Sequence, residues 1–151
     1  GLISPGGAAM GPKDLDDLRG LFDLGNGRDA VVFLDRLLSQ PHPLRWAMAP
    51  FVRGHLSRPE YRALMESLSS EVLLDPSELH QLRMPVLFLW GGRDKILPAS
   101  SREFFLTHLP PHTEVRTPLH LGHSPQLEAP GEVARILLGF RESLVRPAWA
   151  R

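Results

Sequence analysis

The sequence predicts an α/β fold of about three parallel strands with flanking helices, plus a helical insertion between the first strand and the second. Three observations carry this reading. Val86, Leu87, Phe88 and Leu89 form a continuous apolar run closed by Gly91-Gly92, and an unbroken run suits a parallel strand covered on both faces. Residues 85–117 then read strand, helix, strand, the order of a parallel crossover. Near the end, Val133, Ile136, Leu137, Phe140 and Leu144 fall on one stripe of a helix that starts at Pro130, which marks a helix packed on a sheet.

The elements follow in chain order. Leu2-Ile3 is the first strand, closed by Ser4-Pro5-Gly6-Gly7. From there to Arg83 the chain is mostly helical and punctuated by Pro and Gly. Val31, Leu34, Leu37 and Leu38 give one apolar stripe. Tyr61, Leu64, Met65 and Leu68 give another at helical spacing, with Ser57 and Glu60 spaced as a capping box. Asp75, Pro76 and Glu78 signal a further short helix. The second strand spans Pro85–Trp90, a helix runs over Ser100–Leu109, and Thr113–Thr117 is the third strand. The expected division is a core of residues 1–7 and 84–151 and a helical cap of residues 8–83.

Composition narrows the function. The 151 residues carry 17 Lys+Arg and 17 Asp+Glu, a formal net charge of zero. Such balance disfavours nucleic acid and acidic membranes as partners, since phosphate contacts need clustered cations. No run approaches the roughly 18 apolar residues of a bilayer span. With no cysteine, disulfides, zinc-thiolate sites and thiol nucleophiles are ruled out. Gly1 to Ser4 have neither the charged nor the apolar region of a signal peptide, so the expected location is cytoplasmic.

In open parallel sheets, ligands sit outside the carboxyl ends of the strands. Asp94 follows the second strand, His123 follows the third, and the insertion leaves after the first. A carboxylate and an imidazole on adjacent strand ends can hydrogen-bond, fixing the ring's tautomer and stabilising its protonated form. That is the base half of a nucleophilic triad. His108 with His112, and His120 with His123, raise the question of a metal. Pro110-Pro111 keep the first pair off one helical face, and the second lacks a suitably spaced third ligand. Neither a metal nor a cofactor is expected, and the glycine pairs match no phosphate-loop spacing.

Pro85-Val86-Leu87-Phe88-Leu89-Trp90-Gly91-Gly92-Arg93-Asp94-Lys95-Ile96-Leu97-Pro98 resembles the acid-bearing strand and loop of α/β-hydrolase-fold enzymes. Leu121-Gly122-His123-Ser124-Pro125-Gln126-Leu127-Glu128-Ala129-Pro130 resembles their histidine loop and final helix. The acid-then-histidine order agrees with that family. The resemblance implies that Asp94 and His123 are catalytic, that the insertion is the cap, and that an ester-like small molecule is the substrate. It also makes Ile96 and Leu97, beside the acid, and Trp46, Met48 and Phe51 in the cap, candidates for an apolar acyl pocket.

One part of the pattern is absent. No Gly-x-Ser-x-Gly nucleophile elbow occurs in the sequence. Ser4 lies upstream of the acid, but no glycine stands two residues before it, and Pro5 after it removes an N–H that an oxyanion hole would use. The expectation is the C-terminal portion of a serine-type hydrolase, inactive alone, whose exposed sheet edge takes a complementary N-terminal fragment or a second copy. A non-catalytic binding module built on a hydrolase half is the alternative from another class. A piece of a dehalogenase or epoxide hydrolase with an Asp nucleophile is the third.

Overall fold

The computed structural model describes residues 1–69 and 71–145, so the tail of the 84–151 segment from residue 146 lies outside the described residues. Strands β1 (Leu2–Ile3), β2 (Leu87–Leu89) and β3 (Glu114–Arg116) form one parallel sheet in the order β1-β2-β3. Leu2 and Ile3 pair with Phe88 and Leu89, and Leu87, Phe88 and Leu89 pair with Glu114, Val115 and Arg116. The middle strand is wholly buried, as its apolar run requires.

Among the described residues, five helices lie between β1 and β2: α1 (Pro12–Phe22), α2 (Gly27–Leu37), α3 (Arg45–Leu56), α4 (Pro59–Ser67) and α5 (Pro76–His80). The crossover from β2 to β3 is α6 (Ala99–His108), and α7 (Pro125–Glu128) and α8 (Pro130–Val145) complete the described chain. Local chemistry sets the boundaries. Asn26 starts α2 by accepting the N–H groups of Arg28 and Asp29, while the Asp29 carboxylate accepts the Asn26 N–H at 2.9 Å. Asp75 and Glu78 close the expected box on α5, with Ser77 N–H donating to Asp75 Oδ1 and Asp75 N–H to Glu78 Oε2, both at 2.8 Å.

The box expected from Ser57 and Glu60 does not form. Ser57 instead ends α3, its N–H bonded to Arg53 O at 2.9 Å, and Arg58 is the N-cap of α4. Pro59 takes the first helical position, where its missing N–H costs nothing, and that fixes the start two residues after Ser57. Pro50 lies inside α3 and deprives the Trp46 carbonyl of its helical donor.

Two apolar clusters hold the molecule together. One packs Phe88, Trp90, Val86, Phe105 and Leu109 with Ala8 and Leu79 from the insertion's two ends. The other packs Leu24, Val31, Phe33, Leu34 and Ala49 of the insertion with Ile96 of the acid loop. Leu97 touches both. The insertion's stems are joined by a parallel bridge between Ala8 and Leu74, with Leu74 N–H on Gly7 O at 2.8 Å.

The apolar stripe expected on α8 is only partly covered. Val133 is buried, Ile136 and Phe140 are half-buried, and Leu137 and Leu144 are exposed. Among the described residues the sheet ends at β1, and no element of them covers the far side of the helix.

Candidate active site

The second and third strands deliver two loops that zip together backbone to backbone. Trp90 N–H donates to Arg116 O at 2.9 Å, Gly92 N–H to Pro118 O at 2.9 Å, and Arg93 N–H to Leu121 O at 2.8 Å. The approach is so close that a Cβ on Gly91 would stand 1.9 Å from Gly122 O. Only glycine fits there, which is the physical use of the Gly91-Gly92 pair. This zipper brings the side chain of Asp94 to that of His123.

Asp94 Oδ2 lies 2.8 Å from His123 Nδ1, while Oδ1 accepts the N–H groups of Ile96 at 2.9 Å and Leu97 at 3.1 Å. Both carboxylate oxygens are therefore held, and the side chain is 2% exposed against 22% for the imidazole. A carboxylate paired in this way selects the tautomer with its proton on Nδ1, leaving Nε2 as the basic nitrogen. The acid is sealed in and the base faces the opening. Asp94 does not cap α6, whose N-cap is Pro98.

A crevice of about 250 Å³ opens beside the imidazole. Its polar side chains are Ser4 and His123, and Ile96 and Leu97 line it together with Met10, Leu15, Phe22, Met65 and other apolar residues of the insertion. Such a volume lies just under the roughly 300–1,000 Å³ of drug-sized pockets. Phe22 and Met65 also line a second cavity of about 390 Å³ within the insertion, which Arg19, Leu56, Tyr61 and Arg62 help to form.

The pocket candidates thus divide. Ile96 and Leu97 reach the crevice, but Trp46, Met48 and Phe51 are not among its lining residues and are exposed on α3. That helix turns its Ala49 inward, which directs its bulky neighbours elsewhere. Trp46 lines a shallow hollow with Asn26 and Pro50, and Phe51 stacks on His55 at 6.3 Å. The lining comes instead from α1 and α4, whose inward residues show in the sequence only as generic apolar positions.

Two further residues stand out. Glu128 bridges the insertion to the histidine loop: Oε1 accepts the Gly122 N–H at 2.7 Å and Oε2 the Ser39 N–H at 2.9 Å, beside a Ser124 N–H to Leu37 O bond of 3.2 Å. Ser4, at the carboxyl end of β1, continues the ladder through its N–H to Leu89 O at 2.8 Å but has φ +40°. It is the one non-glycine residue with positive φ among the described residues, a conformation that costs an L-residue about 1–2 kcal/mol. Its side chain is buried, and its hydroxyl has no hydrogen-bond partner. The remaining histidine pairs are split. His120 Nε2 meets Glu132 at 2.9 Å and His112 Nε2 meets Met84 O at 3.0 Å, and no group of three metal-ligating side chains occurs among the described residues.

No protein-family model matches the chain. A pimeloyl-[acyl-carrier protein] methyl ester esterase of Nitrosomonas europaea is 32% identical over 119 residues, which cover 73% of this chain and 46% of that enzyme. The chain therefore spans about half the length of the curated relative it matches. A crystal structure of a membrane phospholipase A, a bacterial virulence factor, superposes with a TM-score of 0.75 at 26% identity, covering 97% of this chain and 49% of that one. A 2-hydroxy-6-oxo-6-phenylhexa-2,4-dienoate hydrolase from a Rhodococcus species superposes with a TM-score of 0.72 at 21% identity, covering 93% of this chain and 54% of that one. With three parallel strands, flanking helices and these neighbours, the chain has the α/β-hydrolase fold, spanning about half the length of the hydrolases that share it.

Proposed function

We propose that this chain is the acid-and-histidine portion of a hydrolase acting on ester-like bonds, with Asp94 and His123 catalytic and the nucleophile supplied by residues outside it. The observation that carries the reading is the 2.8 Å bond between His123 Nδ1 and a sealed Asp94, at the mouth of an apolar crevice. In the complete enzyme, His123 Nε2 takes the proton of a nucleophilic hydroxyl as that oxygen attacks the carbonyl carbon. The tetrahedral intermediate collapses as the imidazolium returns the proton to the leaving oxygen, giving an acyl-enzyme. Water attacks that ester with His123 again as the base, releasing the acid. Asp94 holds the ring and stabilises its positive charge at both stages. Ile96 and Leu97 contact the acyl group.

A nucleophile outside the chain is supported by the lack of a Gly-x-Ser-x-Gly segment and by Pro5 immediately after Ser4. It is supported also by the half-covered stripe of α8 and by the outer edge of β1, unpaired among the described residues, surfaces suited to further strands and a helix. Residues 8–83 then act as the cap over the crevice.

The test is substitution in the intact enzyme. Asp94→Asn and His123→Ala should each lower ester turnover by on the order of 10⁴, with the fold kept by circular dichroism. Near-normal turnover in either variant would refute the assignment. The purified chain alone should not cleave p-nitrophenyl esters.

A further inference from the structure

We propose that Ser4 is a specificity-determining residue of the His123 crevice, its hydroxyl donating a hydrogen bond to an oxygen acceptor carried on the acyl chain of the substrate. This rests on the hydrolase reading of the crevice and adds to it a class of substrate: esters whose acyl chain is not purely hydrocarbon.

Three independent observations meet at this residue. Ser4 is 6% exposed, and its Oγ has no partner. A buried hydroxyl without a partner is a loss that native proteins seldom accept without a role. Next, its φ of +40° is one that glycine would adopt freely, so a side chain stands at a position whose backbone argues against having one. Strain of this kind gathers at ligand sites. Finally, Ser4 lines the crevice with His123, and the other side chains named there are apolar: Met10, Leu15, Phe22, Met65, Ile96 and Leu97 among them. An acyl group entering this space meets hydrocarbon side chains on most sides, with Ser4 and the Gly6-Gly7 backbone at the end of β1.

Position defines the task. The histidine stands at the end of the third strand and Ser4 at the end of the first, with β2 between them. A hydroxyl there is displaced from the reacting carbonyl and reads the chain attached to it. Pro5 contributes no N–H, and among the side chains lining the crevice the Ser4 hydroxyl is the donor on the β1 side; serine's staggered rotamers let it swing toward the bound chain.

The experiment measures binding, so that it does not depend on turnover. Levulinate and pentanoate share one five-carbon acid skeleton, and levulinate carries one ketone where pentanoate has a methylene. Each is titrated into the intact protein while the methyl resonances of Met10, Met65 and Leu97 are followed by NMR. The expected result is about tenfold tighter binding of levulinate by the native protein, the equivalent of one hydrogen bond, and equal binding of the two acids by Ser4→Ala. Ser4→Gly, which suits the local φ and so keeps the fold, should match Ser4→Ala. Equal affinities in the native protein, or a levulinate preference that survives either substitution, would overturn the proposal. If His123→Ala leaves ester turnover intact while Ser4→Ala abolishes the levulinate preference, the hydrolase reading fails and the binding role of Ser4 stands.

Discussion

Gly122 is where three parts of the molecule touch. A Cβ there would stand 2.5 Å from Ser39 N, 2.7 Å from Glu128 Oε1 and 2.7 Å from Leu38 C. Two of those neighbours are backbone, which cannot swing aside as a side-chain tip can. Gly122→Ala should therefore destabilise the fold by about 3 kcal/mol, read as a lowered denaturation midpoint at unchanged slope. Ser4→Gly should act in the opposite sense, raising stability by about 1 kcal/mol through relief of the positive φ. Asp94 and His123 are legible in the sequence because each sits a few residues beyond the end of one of two neighbouring strands, whose loops the Gly91-Gly92 zipper then joins. Ser4 and Glu128 are not. A φ of +40° leaves no trace in composition, and the Glu128 bond to Ser39 closes over a separation of 89 residues.

The elements carry their own chemistry. On α5, hydrogen bonds from Ser77, its side chain before its backbone, hold the Asp75 carboxyl below its ordinary range. A lowered carboxyl contributes stability that is fully present above its unfolded value and lost as pH falls through the folded one. Asp75→Ala should thus lower Tm at neutral pH, with the difference fading in acid, as thermal melts across a pH series would reveal. On α7, Glu128→Ala leaves the Gly122 and Ser39 N–H groups without their acceptor. The cost should be about 2–3 kcal/mol, accompanied by faster amide exchange at both positions. Cap chemistry of the Asp75 kind is visible in four consecutive residues. The helix starts after Arg58 and not at Ser57 because Pro59 is itself sufficient to begin it. Which face of α3 turns inward was equally hidden, since Trp46 and Phe51 look like core residues until Ala49 is found facing the insertion's interior.

At the level of the whole molecule, the sheet and the helices flanking it were foreseen, and the uncovered flank of α8 was not. Its apolar spacing is that of a buried helix, but burial needs a neighbour, and spacing cannot supply one. The outer edge of β1, unpaired among the described residues, the exposed Leu137 near Gly1 and the exposed Leu144 further along α8 predict that the purified chain does not remain a bare monomer. Light scattering with intact mass spectrometry should find it self-associated or bound to a complementary segment, whereas a stable monomer without a partner would count against the missing-strand reading.

Ile96 has a double allegiance: its side chain belongs to the insertion's cluster, while its backbone N–H is bonded to Asp94. The helical region is consequently no detachable accessory. Excising it, or grafting another in its place, would strip Ile96 of its packing partners and so loosen the loop that holds Asp94 against His123.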